Sequence, residues 1–433
     1  MLKSLKIHNI GPAPKMELEF GRRLNIFTGD NGLGKSFLLD LCWWALTRQW
    51  PEQINPQLPM GLMARPYESA NGTIEFGLST KSKSLVTWSS SFDRKNQTWK
   101  ARPGRPYSPG LVIYAQVDGS FSAWDPARNY WLKKGNIDVQ DRPRAYVFSP
   151  PEIWDGLWTD DSDSVPLCNG LILDWAGWQK EKGQAFKMLT SLLNALSPSE
   201  AEKFEVGELT RISLDDARDM PTIKMPYGLT VPLLHCSAGV RRILALAYLL
   251  VWTWEEHLKA SKLLGQEPTT EVIFLLDEIE AHLHPQWQRK IVEALLAAVR
   301  VLTNTTNVQL ITTTHSPLIL ASLEPFFDAK KDAWFDLDLL HENHQPSVTL
   351  TRRDFERHGD VCNWLTSEAF DLPSAYNLRT EQLLQEASRL LQDDNVSTKQ
   401  GREMYQLLVK NLSPKDSFLF RWRAIAEKKG WLK

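Results

Sequence analysis

Apolar and polar positions alternate from the first residues of the chain. LKIHNI (residues 5–10) and MELEF (16–20) each carry apolar side chains at about every second position, and the turn-forming Gly-Pro-Ala-Pro run lies between them, so both predict strands. LNIFT (24–28) is apolar almost throughout, as a strand buried on both faces would be, and it runs into a glycine-rich loop. Helical spacing follows over 37–49. Short alternating runs at 73–78 (TIEFGL), 84–90 (SLVTWSS) and 111–116 (LVIYAQ) predict an antiparallel layer. Residues 117–165 are rich in Pro, Asp and Trp without clear period and read as an irregular insertion. Helical signal returns over 172–204, with strand-like segments at 209–214 and 221–225. A strong helix is expected over 240–258, a continuous apolar strand at 272–276, an amphipathic helix at 286–302 and another buried strand in NVQLITTTH (307–315). Residues 348–350 complete a small strand pair, and the last 80 residues have helical spacing. No internal repeat or low-complexity segment is present.

Composition narrows the class. The 433 residues are 42% hydrophobic and 24% charged, ordinary for a globular chain, and the net charge of −2 leaves any nucleic-acid contact to a local basic patch. The 18 Trp, several near expected helices (Trp43, Trp44, Trp252, Trp254), read as core and interface filler. Cys42, Cys168, Cys236 and Cys362 are far apart, which excludes a disulfide framework or zinc knuckle and suits a reducing compartment. MLKSLKIHNI lacks a signal-peptide core, and the longest apolar run (243–254) is too short to span a bilayer, so a cytoplasmic location without membrane contact is expected.

The glycine-rich loop carries the first chemistry. Gly29-Asp30-Asn31-Gly32-Leu33-Gly34-Lys35-Ser36 matches GxxxxGK[ST] between a strand and a helix. Glycines let backbone N–H groups curl around a β-phosphate where a Cβ would intrude, and the helix N-terminus adds partial positive charge. Lys35 would reach the β- and γ-phosphates of ATP, the Ser36 hydroxyl would bind Mg²⁺, and Phe37 completes the expected nucleotide-contacting run. At the end of the 272–276 strand, Asp277 is placed to hold Mg²⁺, directly or through water, and Glu278 follows it. His282 and His284 precede Pro285 in a spacing that fits a turn better than a metal pair. Thirty-seven residues after Glu278, LITTTHSP again ends a buried strand in a polar residue, and His315 would touch the γ-phosphate and report its presence.

With HCSAGVRR (235–242) before the 240–258 helix, these elements resemble the ABC ATPase superfamily, whose signature loop reads LSGGQ or a close variant. By position Ser237 and Gly239 match its serine and second glycine, while Ala238 and Val240 depart from the transporter form. The resemblance implies that Ser237 and Gly239 contact ATP held by a partner subunit, and that Glu278 orients or deprotonates the attacking water. It also implies that Gln116, ending LVIYAQ, is the Q-loop residue. Arg241 and Arg242 would add charge or point to solvent. Transporters are excluded by the lack of a membrane span, and an SMC-like coiled-coil arm by the lack of sustained heptads. GDNGLGKSFLLD with DEIEAHLHP and TTHSP resembles standalone ATPases akin to RecF and the OLD-family heads, and ATPase subunits of bacterial antiphage systems such as PtuA of Septu, over roughly 1–50 and 209–350. OLD proteins add a Toprim nuclease. Here Asp336-Leu-Asp338 is read as strand alternation with both carboxylates on one face, without metal, and no nuclease is expected in this chain.

The expected fold is therefore α/β: a P-loop ABC-type ATPase head with an antiparallel β subdomain, a helical insertion and a C-terminal helical domain. The expected segments are 1–120, 121–208, 209–350 and 351–433. Three functions follow from the resemblance: an ATPase that dimerises head to tail and regulates a separate nuclease or toxin in antiphage defence, a RecF-like DNA-binding repair ATPase, or a non-hydrolysing ATP-bound scaffold. Candidate DNA contacts are the basic stretches at 81–84, around Arg142 and Arg144, and at 415–429.

Overall fold

A computed structural model describes residues 1–68, 70–79, 85–100, 107–130, 132–134, 137–139, 143–159, 164–302, 307–342, 345–393 and 395–432. The longest apolar segments form the centre of an eight-stranded sheet, in the order Tyr146–Phe148, Phe121–Trp124, Leu111–Ala115, Glu271–Leu276, Asn307–Thr313, Leu24–Gly29, Ala333–Glu342, Gln345–Arg353. The five strands from Leu111–Ala115 to Ala333–Glu342 run parallel, and the outer strands pair antiparallel. Central parallel strands are covered on both faces, which explains why LNIFT, VIFLL and LITT are nearly continuous apolar runs.

The alternating segments form a second, antiparallel sheet in the order Lys15–Glu19, Leu2–His8, Thr73–Ser79, Leu85–Asp93, Thr98–Trp99. Helix Lys35–Thr47 lies in one apolar core with residues of both sheets, including Leu5, Ile7 and Phe76 from one and Phe27, Ile273 and Ile311 from the other. Ten of its 13 residues are buried, so it has no solvent-facing stripe. Trp43 packs on Tyr114, and Trp44 stacks on Trp50 with ring centroids 5.7 Å apart. These tryptophans are core filler.

Residues 117–165, where the pattern showed no period, hold Phe121–Trp124 and Tyr146–Phe148, the two outermost strands on one side of the main sheet. Strands of three and four residues buried throughout leave no alternation to detect. The expected strand at 209–214 is absent. Only Thr210 bridges to Met220 there, and the small sheet before the signature loop is built from Glu205–Val206, Thr222–Lys224 and Thr230–Pro232. Helix Ala238–Leu263 exceeds its expected bounds at both ends, and the amphipathic segment at 286–302 divides into Pro285–Gln288 and Ile291–Leu302. Among the described residues no helix is long and apolar enough to cross a membrane.

The chain separates into two compact units, residues 1–364 and 365–433. In the second, helices Leu378–Gln392, Thr398–Asn411 and Ser417–Lys428 are N-capped by Asn377, Ser397 and Asp416. They enclose Leu384, Ala387, Met404, Leu408, Leu419, Trp422 and Trp431. Trp422 is 1% exposed, and its indole N–H donates to the Ala387 carbonyl at 3.0 Å. Replacing Trp422 with Ala is expected to cost this unit about 3–5 kcal/mol. Hydrogen exchange should then show lost protection over 378–428 and unchanged protection over 24–47.

Candidate nucleotide site

The buried strand Leu24–Gly29 delivers the phosphate loop to the C-terminal edge of the main sheet. Gly29, Gly32 and Gly34 have φ of 121°, 79° and 94°, conformations side-chain-bearing residues rarely adopt. A Cβ on Gly29 would lie 2.1 Å from the Leu337 carbonyl oxygen, and one on Gly34 2.9 Å from the Pro12 ring, whereas Gly32 faces open space. The Gly-Pro-Ala-Pro turn thus wedges the loop from behind. Asp30, Asn31 and Gly32 are exposed, while Leu33 is buried and anchors the loop. Phe37 lies against Gly11, so its ring belongs to the packing of the loop rather than to its open face. Helix Lys35–Thr47 has no side-chain cap at Gly34, which leaves its first amides available to an anion. Lys35 is 5% exposed, and its ammonium donates to the carbonyls of Gly29 at 2.8 Å and Asp30 at 2.7 Å. Burial lowers its pKa, opposed by the charges of Glu278 and Asp277.

Asp277 follows strand Glu271–Leu276 and is fully buried. Its Oδ1 accepts the Thr313 hydroxyl at 2.7 Å, and that same hydroxyl accepts the Glu278 N–H at 2.7 Å. One threonine on the neighbouring strand therefore sets both acidic residues. Asp277 Oδ2 is buried without a hydrogen-bond partner. Burial raises the pKa of this carboxyl, against the pull of the Thr313 and Ser36 hydroxyls. A buried carboxylate oxygen beside a serine hydroxyl is a fitting donor pair for Mg²⁺, a hard cation that takes few protein oxygens and keeps its waters. Glu278 has φ 44°, a strained value that turns its side chain out of the strand, and it is half exposed. His315 Nε2 lies 3.9 Å from its Oε1. Burial first, and then the Lys35 charge, lower the pKa of His315.

Gln116 is 1% exposed at the end of its strand, next to Ala115, whose carbonyl accepts the Asp277 N–H at 2.9 Å. Its Oε1 accepts the Ser120 hydroxyl at 2.7 Å, and its Nε2 is buried without a partner. The fold thus brings Lys35, Ser36, Gln116, Asp277, Glu278 and His315 to one sheet edge. Ser237 is separate: exposed, it N-caps helix Ala238–Leu263, and among the described residues no hydrogen bond joins it or Gly239 to the phosphate loop. Gly239 is buried, and a Cβ there would lie 2.3 Å from the His282 carbonyl oxygen, so glycine is required by packing within the chain. His284 caps Pro285–Gln288, in keeping with a turn.

Two contributors were not legible in the pattern. Arg242 is not at the surface: its guanidinium donates to the carbonyls of Val117 at 2.9 Å, Asp277 at 3.1 Å and Glu278 at 3.3 Å, while Arg241 is exposed. Glu280 accepts from the Thr314 hydroxyl at 2.8 Å and from the His315 N–H. A second acid two positions after Glu278 was the available signal, but its direction depends on a turn that periodicity cannot resolve. Asp336 and Asp338 share a face and both pair with Arg353, and Asp336 also accepts the Thr28 hydroxyl at 2.6 Å. Of the basic stretches, residues 81–84 and Arg142 lie outside the described residues. Arg144 donates to the Gln53 carbonyl at 3.3 Å, and Arg423 pairs with Glu427 at 2.8 Å.

Thr313→Val removes the hydroxyl between Asp277 and Glu278. It is expected to cost about 1–3 kcal/mol of Mg-dependent nucleotide affinity, roughly 5- to 150-fold, measurable by calorimetry with and without Mg²⁺. A second expectation concerns pH. Asp40, whose carboxyl accepts the Tyr114 hydroxyl at 3.0 Å, has its pKa raised to about 8 by burial. The native state then holds a proton that the unfolded chain releases above its ordinary carboxylate pKa. That contribution to stability is full below about pH 4 and lost as pH rises toward 8. Thermal melts of Asp40→Asn should show a flatter pH dependence over that window than the parent.

The family model described as "AAA domain, putative AbiEii toxin, Type IV TA system" matches residues 24–321. The chain is 26% identical over 160 residues to the Retron Ec83 probable ATPase of Escherichia coli, covering 37% of this chain and 26% of that protein. It is 22% identical over 328 residues to the Septu protein PtuA of Bacillus thuringiensis, covering 73% of this chain and 72% of that one. The match to the retron protein thus spans about a quarter of that relative's length. Among solved structures, the SMC head domain from Thermotoga maritima aligns with 81% of this chain and 98% of its own, at a TM-score of 0.37 and 13% identity. The matched segment runs from the phosphate-loop strand past His315 and covers more than half of the 433 residues, and the chain belongs to this AAA-domain family.

Proposed function

We propose that the chain binds Mg-ATP at this edge and hydrolyses it when two copies meet head to tail, as the ATPase subunit that regulates a separate effector, a nuclease or toxin, in bacterial antiphage defence. The observation that carries the nucleotide reading is the buried, unpartnered Asp277 Oδ2 beside Ser36, behind a loop whose three glycines hold positive φ. Defence is supported by the family description and by the names of the relatives, a Septu protein and a retron ATPase.

In this reading the Gly29–Ser36 loop and the uncapped amides of its helix surround the phosphates. Lys35 exchanges its two carbonyl acceptors for phosphate oxygens, with no change of charge. Ser36 and Asp277 would hold Mg²⁺, which when bound neutralises charge developing on the transferred phosphoryl group. Glu278, turned out of its strand, orients the water and accepts its proton, and His315, whose Nε2 lies 3.9 Å from Glu278 Oε1, contacts the γ-phosphate. In a head-to-tail pair each site would gain a further donor on its open side. The exposed Ser237 at the start of a 26-residue helix is suited to supply one to a second copy, because Ser237 and Ala238 are both exposed and the hydroxyl keeps its own proton to donate while accepting the Val240 N–H. Arg242 of the same helix grips the carbonyls of Asp277 and Glu278, so docking at Ser237 is mechanically joined to the chain's own acidic residues.

Glu278→Gln is expected to lower kcat by at least about 100-fold while retaining ATP, and to accumulate an ATP-bound dimer in light scattering. Lys35→Ala should lose ATP binding and dimer together. A Glu278→Gln protein that turns over normally, or stays monomeric with ATP, would defeat the proposal. Purification with Mg-ATP from the native host tests the effector: a nuclease or toxin in fixed stoichiometry is expected, and recovery of DNA alone would transfer support to a repair function.

A further inference from the structure

The turn after Glu278 holds a carboxylate that the mechanism above leaves unused. Glu280 is half-buried. Among the described residues no Lys, Arg or His forms an ion pair with it; its partners are the Thr314 hydroxyl on Oε2 and the His315 backbone N–H on Oε1. Burial pushes its pKa up, and these two donors pull it back. Carboxylates without a cation are costly to bury, and an apolar residue would serve packing better, so the pair of accepted hydrogen bonds is what this side chain contributes.

Those bonds have a direction. Ile279 N–H donates to the Thr313 carbonyl at 3.3 Å, and Thr313 Oγ1 accepts from Glu278 N–H, so the strand end and the acidic turn are already joined at the level of Asp277 and Glu278. Glu280 extends the joint by one further step, to the residue whose imidazole stands beside Glu278. The same turn continues through Leu283 N–H, which donates to the Glu280 carbonyl at 2.9 Å, and through His282, whose carbonyl occupies the space a Cβ on Gly239 would need. Glu280 is thus fixed between the residue facing the γ-phosphate and the turn against which the first helical residues after Ser237 pack.

We propose that Glu280 is a positioning residue of the hydrolytic site: its two carboxylate oxygens clamp Thr314 and the His315 backbone, so that the imidazole is held at its working distance from Glu278. The proposal rests on the ATPase reading. It assigns no contact with nucleotide to Glu280 itself.

The test uses the full chain with Mg-ATP and compares Glu280→Gln, His315→Ala, the double variant and Glu278→Gln. The amide can accept on only one side, so Glu280→Gln keeps one bond of the clamp and forces the other to reverse, with the Thr314 hydroxyl, which already accepts the Ser316 N–H, having to accept from the amide. Its kcat is expected to fall roughly 10-fold or more with KM within about threefold of the parent. On the His315→Ala background the same change should have no further effect, because Glu280 acts through that residue. Thr314→Val, which removes one donor and leaves the carboxylate in place, should lower kcat by a smaller factor with the same non-additivity, and it serves if Glu280→Gln does not fold. Unchanged kcat, or losses that multiply in the double variant, would overturn the proposal. So would a parallel collapse of ATP binding and melting temperature in both Glu280→Gln and Thr314→Val. If Glu278→Gln is inactive and Glu280→Gln is fully active, this proposal alone fails. If Glu278→Gln remains active, the hydrolytic reading falls and this one with it.

Discussion

Everything at the nucleotide edge depends on a carboxylate held out of water. Asp277 ends a central parallel strand, and burial resists its ionisation, so its setting depends on neighbouring strands, one giving the Thr313 hydroxyl as a donor and the other the Ala115 carbonyl as an acceptor for its N–H. Parallel pairing fixes both positions. The registers Leu276↔Thr312 and Leu276↔Ala115 place Thr313 on one side of Asp277 and Gln116 on the other. A shift of one residue in either strand would turn Thr313 or Gln116 to the opposite face. The uninterrupted apolar strands are therefore a condition of the chemistry as well as of the core.

The second constraint is the helix between the sheets. Its N-terminus has to meet the phosphate loop while its sides are covered by both sheets, which is why Trp43, Trp44, Leu38, Leu39 and Leu41 are all buried. The antiparallel sheet is required to cover the helix face that the parallel sheet leaves bare. The Pro12 turn at its edge also braces Gly34, so the layer that closes the core shapes the loop as well.

A third feature is that mobile-looking charged residues are anchored to backbone. Arg242 and Glu280 each bind main-chain groups, carbonyls in one case and the His315 N–H in the other. Main-chain contacts transmit displacement of a whole segment where contacts between side-chain tips would not. The beginning of the long helix, the acidic turn and the end of the His315 strand thus share a hydrogen-bonded frame, consistent with a site that responds to what touches its edges.

Much of this was legible from residues alone, for local reasons. The phosphate loop, Asp277, Glu278 and His315 all sit where a strand's apolar run stops, and period, glycine spacing and residue chemistry mark such points without knowledge of the fold. The strand ends, the helix after the loop and the small helical unit at the C-terminus follow from the same signals. Tertiary structure decided what period cannot encode. Strands as short as Phe121–Trp124, buried at every residue, have no alternation, so only pairing reveals that they belong to the main sheet. Arg242 looks like a surface charge until the helix is docked, and that Gly239 is also held to glycine by the His282 carbonyl is visible only in the fold. Sequence by itself marked which residues are candidates for the chemistry, because phosphate and metal chemistry restrict the residue types that could serve. Which of them share an edge, and which are left exposed, was decided by strand order and turn geometry, because those depend on contacts between segments hundreds of residues apart.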